Sequence, residues 1–313
     1  MTPAMRTLHP DLAAARFLPP VSMGPRLSAL ARRMPGRSKP APADMIIEDV
    51  TVPGLRGAPD VRLRVYRTRE LPSPAPALLW FHGGGFIMGT PLLDERSSID
   101  FARDLGIVVI APTYRLAPDH PSPAAVEDAY AALLAVARTP DRFGVDPTRI
   151  AIGGASAGGG LTASLALYAH DRGEVAPVFQ LLVYPMLDDR TVLRSDVDTR
   201  LLRGWTPKSN RYAWTVYAGS SPGSEGISPY AAPARRSDLT GLPPAWIGVG
   251  TIDLFYDEDL EYARRLREAG VPCEVLEVPG AFHGFDSVMK KASVSRAFWV
   301  AQAQALRAGL HLP

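Results

Sequence analysis

The sequence predicts an α/β fold: a mostly parallel central sheet flanked by helices, with a helical cap. Three observations carry this prediction. From residue 45 onward, short apolar runs alternate with segments of helical period. Several runs, 77–81 and 107–110 among them, are apolar throughout, as strands buried on both faces are. A serine framed by small residues, Gly154-Ala155-Ser156-Ala157-Gly158, follows directly on the apolar run 150–152. Only glycine-sized neighbours let a backbone turn that tightly from strand into helix. Strands that alternate with helices join through right-handed crossovers and lie parallel.

Taken in order, residues 10–17 and 25–33 read as helical pieces ahead of the first strand. Residues 45–50 and 61–66 read as half-exposed strands, the second by strict alternation. Buried strands are expected at 77–81, 107–110, 150–152, 179–184, 246–249 and 273–278. Apolar residues at three- and four-residue spacing predict helices over 124–138, 159–172, 258–269 and 293–310, with Gly270 ending the third. Two stretches break the alternation, the amino-terminal segment 1–44 and an insertion at 188–240 that holds Trp205, Tyr212, Trp214 and Tyr217. Long insertions in compact domains are usually functional, and open α/β sheets bind ligands at the carboxyl ends of their strands. Both stretches are therefore expected to form a cap over that end. The core is then split into 45–187 and 241–313.

Composition excludes several classes of function. A net charge of +2 without a long basic run argues against a nucleic-acid partner. No segment approaches the ~20 apolar residues that span a bilayer, and residues 1–20 lack the form of a secretory leader. A single cysteine, Cys273, cannot form an internal disulfide and fits a reducing compartment. The expectation is a soluble cytoplasmic protein without a membrane partner. Cys273 itself reads as a small buried hydrophobe.

Acyl transfer needs a nucleophile, a base, a group that holds the base, and donors for the oxyanion. Ser156 offers the hydroxyl. His283, in Ala281-Phe282-His283-Gly284-Phe285, follows the strand ending at Val278 and is the candidate base. Asp253 follows the strand 246–249 and could hold the other ring nitrogen. Asp257 competes for that role, although it is farther from the strand end and suits a helix cap. His82-Gly83-Gly84-Gly85 follows the strand ending at Phe81. Consecutive glycines there can turn their N–H groups toward a ligand, and the Ala157 N–H adds a donor at the helix start. A phosphate-binding turn would need a helix to begin at once and a lysine or acidic partner at the right spacing, and Phe86-Ile87-Met88-Gly89 supplies neither. His82 reads as an anchor of the glycine loop, and His120 as a structural loop residue. No set of His, Cys and carboxylates has metal-ligand spacing, so neither metal nor cofactor is expected.

With these residues in hand, the chain resembles the hormone-sensitive-lipase family of α/β-hydrolases, the bacterial family IV esterases, from about residue 45 to 310. The likeness rests on His82-Gly83-Gly84-Gly85-Phe86, on Tyr114-Arg115-Leu116-Ala117-Pro118-Asp119-His120-Pro121, and on the elbow with its extra Gly159. Asp253-Leu254 and His283-Gly284-Phe285 complete it. The resemblance implies Ser156 as nucleophile, Asp253 as acid and His283 as base, with oxyanion donors at Gly84, Gly85 and Ala157. Three positions depart from the family pattern: Ala155 where many members carry Asp, Phe86 where Trp is frequent, and Ser122 where an aromatic is common.

The expected activity is a carboxylesterase that cleaves short- to medium-chain acyl esters of small molecules through an acyl-enzyme. Phe86, Met88, Tyr184, Trp205 and Phe282 are the candidate pocket residues. A cap leaves no broad apolar surface, which favours small substrates over oil droplets. Two rivals stand beside this reading. One is an amidase or acyl-metabolite hydrolase on the same triad, and the other a ligand-binding relative without catalysis. The strand 273–278, if it lies at the sheet edge, would allow a homodimer.

Overall fold

Apolar, β-branched runs fit a pleated and buried surface, and eight of them build one sheet. The computed structural model describes residues 7–19, 21–34, 36 and 40–313. Parts of the expected cap segment 1–44 and of the leader reading over 1–20 thus lie outside the described residues.

The first half of the chain forms a 3-10 helix at Pro10–Phe17, then α1 (Pro25–Arg33), β1 (Met45–Val52), β2 (Val61–Thr68), β3 (Ala75–Phe81), α2 (Glu95–Leu105), β4 (Val108–Thr113), α3 (Ala124–Arg138) and α4 (Pro140–Phe143). The second half forms β5 (Val145–Ala155), α5 (Ala157–Arg172), β6 (Phe179–Val183), α6 (Pro207–Tyr217), β7 (Ala245–Gly250), α7 (Tyr256–Glu268), β8 (Cys273–Val278), α8 (Phe285–Val288) and α9 (Ser293–Gly309). The sheet order is β1-β2-β4-β3-β5-β6-β7-β8. β2 pairs antiparallel with β1 and β4; the pairs from β4 to β8 are parallel.

Period-two alternation divides the core between the two faces of the sheet. Ala77, Leu79 and Phe81 of β3 point to one face, where they pack with residues of α3 and α5. Leu78 and Trp80 point to the other, with Phe101 and Ala102 of α2 and Phe298 and Leu306 of α9. A third cluster joins Ala163 and Leu167 of α5 to Tyr262 and Leu266 of α7. The central strands carry apolar side chains on both faces for this reason.

The α/β class and the positions of all eight strands match the expectation, with physical reasons wherever bounds differ. β8, expected as a buried strand, instead lies at the sheet edge with only Val278 of its residues buried. β5 begins at Val145, earlier than its apolar run, because Asp146, Thr148 and Arg149 hide the strand's start behind polar residues. α5 begins at Ala157, immediately after the turning serine. α2 is an element the sequence reading did not name: it buries Phe101, Ala102 and Leu105 under a charged outer face. α7 ends at Glu268, with Gly270 at φ +77° just beyond. The insertion 188–240 is structured, with α6 between 3-10 helices at Asp189–Leu193 and Pro233–Arg235. Its Trp205, Trp214 and Tyr217 are buried. β8 lies at the sheet edge, so Cys273 is only half-buried, not a core residue as expected. Burial still pushes its thiol up to about 11.

Candidate active site

Four parallel strands deliver chain to the same end of the sheet. β3 leads into the glycine loop, β5 into Ser156, β7 into Asp253 and β8 into His283. At the end of β5 the chain reverses through Ser156 at φ +58°, ψ −120°. A side chain rarely adopts that conformation, at a typical cost of ~1–3 kcal/mol, so the surroundings must hold it. Ser156 N–H donates to the Val183 carbonyl at 2.9 Å, and the Ser156 carbonyl accepts from Met186 and Gly160, each at 3.0 Å. The flanking glycines are demanded by close approach. A Cβ on Gly154 would meet the Gly158 backbone at 2.5 Å, and one on Gly158 would meet the Phe81 carbonyl at 1.9 Å.

The three sequence-predicted reacting groups come together in one line. Nδ1–H of His283 donates to Asp253 Oδ2 at 2.8 Å, which leaves Nε2 to accept from Ser156 Oγ, also at 2.8 Å. All three are buried. The other Asp253 oxygen accepts from the Phe255 N–H at 3.0 Å, which fixes the carboxylate's rotation. Tyr184 and Phe255 meet the imidazole edgewise at 4.9 and 5.1 Å between centroids. Asp257, the rival acid, is instead ion-paired with Arg194 at the surface.

Gly84 and Gly85 take φ +116° and +62°, and the Gly84 carbonyl accepts from Ile87 and Met88 at 3.1 and 3.2 Å. That tight turn leaves no place for a Cβ on Gly84, which would lie 2.1 Å from the Met88 carbonyl. Among the described residues none accepts a hydrogen bond from the backbone N–H of Gly84, Gly85 or Ala157. His82 does anchor the loop: it stacks on Tyr114 at 4.3 Å, and its Nδ1–H donates to the Gly83 carbonyl at 2.7 Å. Burial pushes its imidazole down to about 4, so the ring is neutral at pH 7.

The five expected pocket residues divide into two sets. The Trp205 ring lies 2.3 Å from where a Gly85 Cβ would stand, and its indole N–H donates to Asn210 Oδ1 at 3.2 Å. Met88 is half-buried beside the same loop. Tyr184 faces the imidazole while its hydroxyl donates to Asp286 Oδ1 at 2.8 Å. Phe86 stacks face to face on Tyr217 at 3.8 Å, and Phe282 is fully buried in the core cluster that also holds Phe298 of α9. These last two occupy packing positions.

Two carboxylates that the sequence reading passed over border the site. Asp94 accepts from the Trp80 indole at 3.2 Å. Burial pushes it up to about 6, against the pull of that indole and of the Gly83 N–H. Asp286 is raised by burial while it holds Tyr184. Each directly precedes or opens a helix, so in sequence it reads as an ordinary cap. Among the described residues no group of His, Cys, Asp and Glu could hold a metal ion. Nor is any helix among them long and apolar enough to cross a membrane. A hydroxyl, an imidazole and a carboxylate in line, with unfilled N–H donors beside the hydroxyl, form an arrangement suited to acyl transfer.

Comparison with known proteins agrees with this chemistry. A family described as alpha/beta hydrolase fold matches residues 78–287. Esterase LipI of Mycobacterium tuberculosis is 35% identical over 254 residues, 79% of this chain and 77% of the relative. Carboxylic ester hydrolase LipN of the same organism is 34% identical over 293 residues, 91% of this chain and 75% of its own. Among solved structures, a bacterial heroin esterase superposes with a TM-score of 0.88 at 39% identity, covering 97% of this chain and 98% of that one.

Proposed function

Since this chain belongs to the alpha/beta hydrolase family and is a carboxylic ester hydrolase, we propose that Ser156, His283 and Asp253 are its catalytic triad. The observation that carries the proposal is the unbroken line of hydrogen bonds from Asp253 through His283 to Ser156, both links at 2.8 Å. In the first step His283 Nε2 takes the Ser156 proton as Oγ attacks the ester carbonyl. The carbonyl oxygen, now negative, is received by the N–H groups of Gly84, Gly85 and Ala157. Such donors act where charge develops, and losing one costs ~3 kcal/mol. The imidazolium then passes its proton to the departing alcohol, leaving an acyl-serine. Water attacks that acyl group with the same base, and the acid leaves with Ser156 restored. Asp253 holds the tautomer and offsets the charge on the imidazolium.

In this reading the substrates are short- to medium-chain esters, with Trp205, Met88 and Tyr184 nearest the reacting groups and Phe86 and Phe282 packed behind them. The described part of segment 1–44 and the insertion 188–240 form the cap over a core of 45–187 and 241–313. The hydrogen bond between Ser22 and Thr206, 3.0 Å, and that from Met23 N–H to Ser209, 2.8 Å, support their joint action. A homodimer would form through the β8 edge, and a cytoplasmic location would suit the single free cysteine.

Hydrolysis of p-nitrophenyl esters from acetate to laurate, by the wild type and Ser156→Ala side by side, tests the proposal. The expected result is turnover that falls with chain length in the wild type and is absent in the variant. Turnover surviving in Ser156→Ala would remove the serine from the mechanism, and a maximum at laurate would overturn the chain-length reading.

A further inference from the structure

An amphipathic helix packed on a protein normally turns its apolar stripe inward. α1 does the reverse. Of its nine residues only Ser28 is buried, close to the Tyr212 hydroxyl of α6 at 3.4 Å. Leu27 and Leu30, with Met34 just past the helix, are 45%, 55% and 68% exposed. Their spacing of three and then four residues puts them on one face. Upstream, Phe17 is 76% exposed and Val21 54%. The cap was expected to leave no broad apolar surface, and this segment departs from that expectation.

Charge accompanies the apolar face. Arg26 and Arg33, seven residues apart, lie along one side of it, and among the described residues neither has an acidic partner. Arg16 lies over the Phe17 ring at 4.6 Å. Across the chain positive and negative charges nearly cancel, yet residues 1–44 hold six arginines and one lysine against Asp11 and Asp44. α1 also sits against the candidate site's loop. Arg32 donates to the Ile87 carbonyl at 3.1 Å and to the Ala117 carbonyl at 3.3 Å.

Isolated exposed leucines need no explanation. An apolar face flanked by unpaired arginines is the composition of a helix that lies in the plane of a bilayer surface, apolar side among the acyl chains and cations among anionic headgroups. We propose that the outward face of α1 docks the enzyme on an anionic lipid surface, with the cap side of the molecule toward the bilayer. Esters that partition into the membrane would then be concentrated beside the site's entrance. No spanning helix is required for such peripheral contact.

Sedimentation of the full chain with phosphatidylglycerol-containing vesicles and with pure phosphatidylcholine vesicles tests this, at low and at high salt. The protein is expected to pellet with the anionic vesicles, to be partly released by salt, and to bind neutral vesicles poorly. Each arginine near such a surface contributes about fivefold in partitioning. Arg26→Gln/Arg33→Gln and Leu27→Gln/Leu30→Gln should therefore each reduce binding by at least about fivefold. Hydrolysis of a water-soluble acetate ester should stay unchanged in both variants, which separates this proposal from the catalytic one. Failure to bind anionic vesicles, or binding indifferent to both variants, overturns it. So does an oligomer that Leu27→Gln/Leu30→Gln breaks into monomers, because a second copy would then cover the face. A dimer through β8 would survive those substitutions.

Discussion

Gly85 has no room for a β-carbon, since the Trp205 ring lies 2.3 Å from where one would be, and its φ of +62° penalises any side chain. Gly85→Ala must push either Trp205 or the Gly85 N–H, a proposed oxyanion donor, out of place. Misplacing one donor approaches the cost of deleting it, so kcat/KM is expected to fall about 100-fold. Adding Trp205→Ala should recover part of that loss, because the clash vanishes while the unfavourable φ remains. A double-mutant cycle on kcat/KM measures this, and strict additivity would show that the two residues do not act on one another. Much at this scale was legible in the sequence. The meeting of Ser156, His283 and Asp253 in one hydrogen-bonded line was legible because each, like the glycine loop, sits in a short motif at a strand end. Asp94 and Asp286 were not legible. Their partners, Trp80 and Tyr184, lie 14 and 102 residues away and leave no local pattern.

The insertion 188–240 shows what sequence can and cannot say about an element. Its aromatic residues announced that it packs, and they are buried, but nothing announced the fastening at its base. Asp189 is fully buried and takes both nitrogens of the Arg235 fork, at 2.6 and 2.8 Å, plus the Gly223 N–H. Arg235→Ala would leave a buried carboxylate without its cation, at about 3 kcal/mol, the low end for a pair with one slightly exposed partner. A drop of several degrees in Tm is expected, read by calorimetry, and an unchanged melt would mean that water replaces the arginine. Strands were read more surely than helices because unbroken apolar runs mark those that lie at the sheet's centre. α2 escaped notice because Arg96, Asp100, Arg103 and Asp104 crowd its outer face, with Glu95 at its start, and drown the signal from Phe101, Ala102 and Leu105.

Stability of the whole molecule carries an acid–base signature through Asp259. It is fully buried on α7, and among the described residues neither carboxyl oxygen has a partner. Burial, helped by Glu258 and Asp253, pushes its pKa well above 3.8. Below 3.8 the group is protonated in folded and unfolded chains alike and costs nothing extra. As pH rises the unfolded chain releases the proton first, so stability falls until the folded pKa is passed. Asp259→Asn should thus melt like the wild type near pH 4 and increasingly above it toward pH 8. A Tm difference independent of pH would refute this account. The basic, outward-apolar first segment was hidden at the same scale, because a net charge of +2 averages it against the rest of the chain. The topology has one more consequence, in the time order of synthesis. Ser156 and His283 are 127 residues apart, and the histidine reaches its place only after β8 has closed the sheet. On a ribosome the elbow emerges long before its base does. If Ser156 and His283 act as proposed, a nascent chain carries the serine without its base through the synthesis of those 127 residues and gains esterase activity only once β8 and His283 have folded into place.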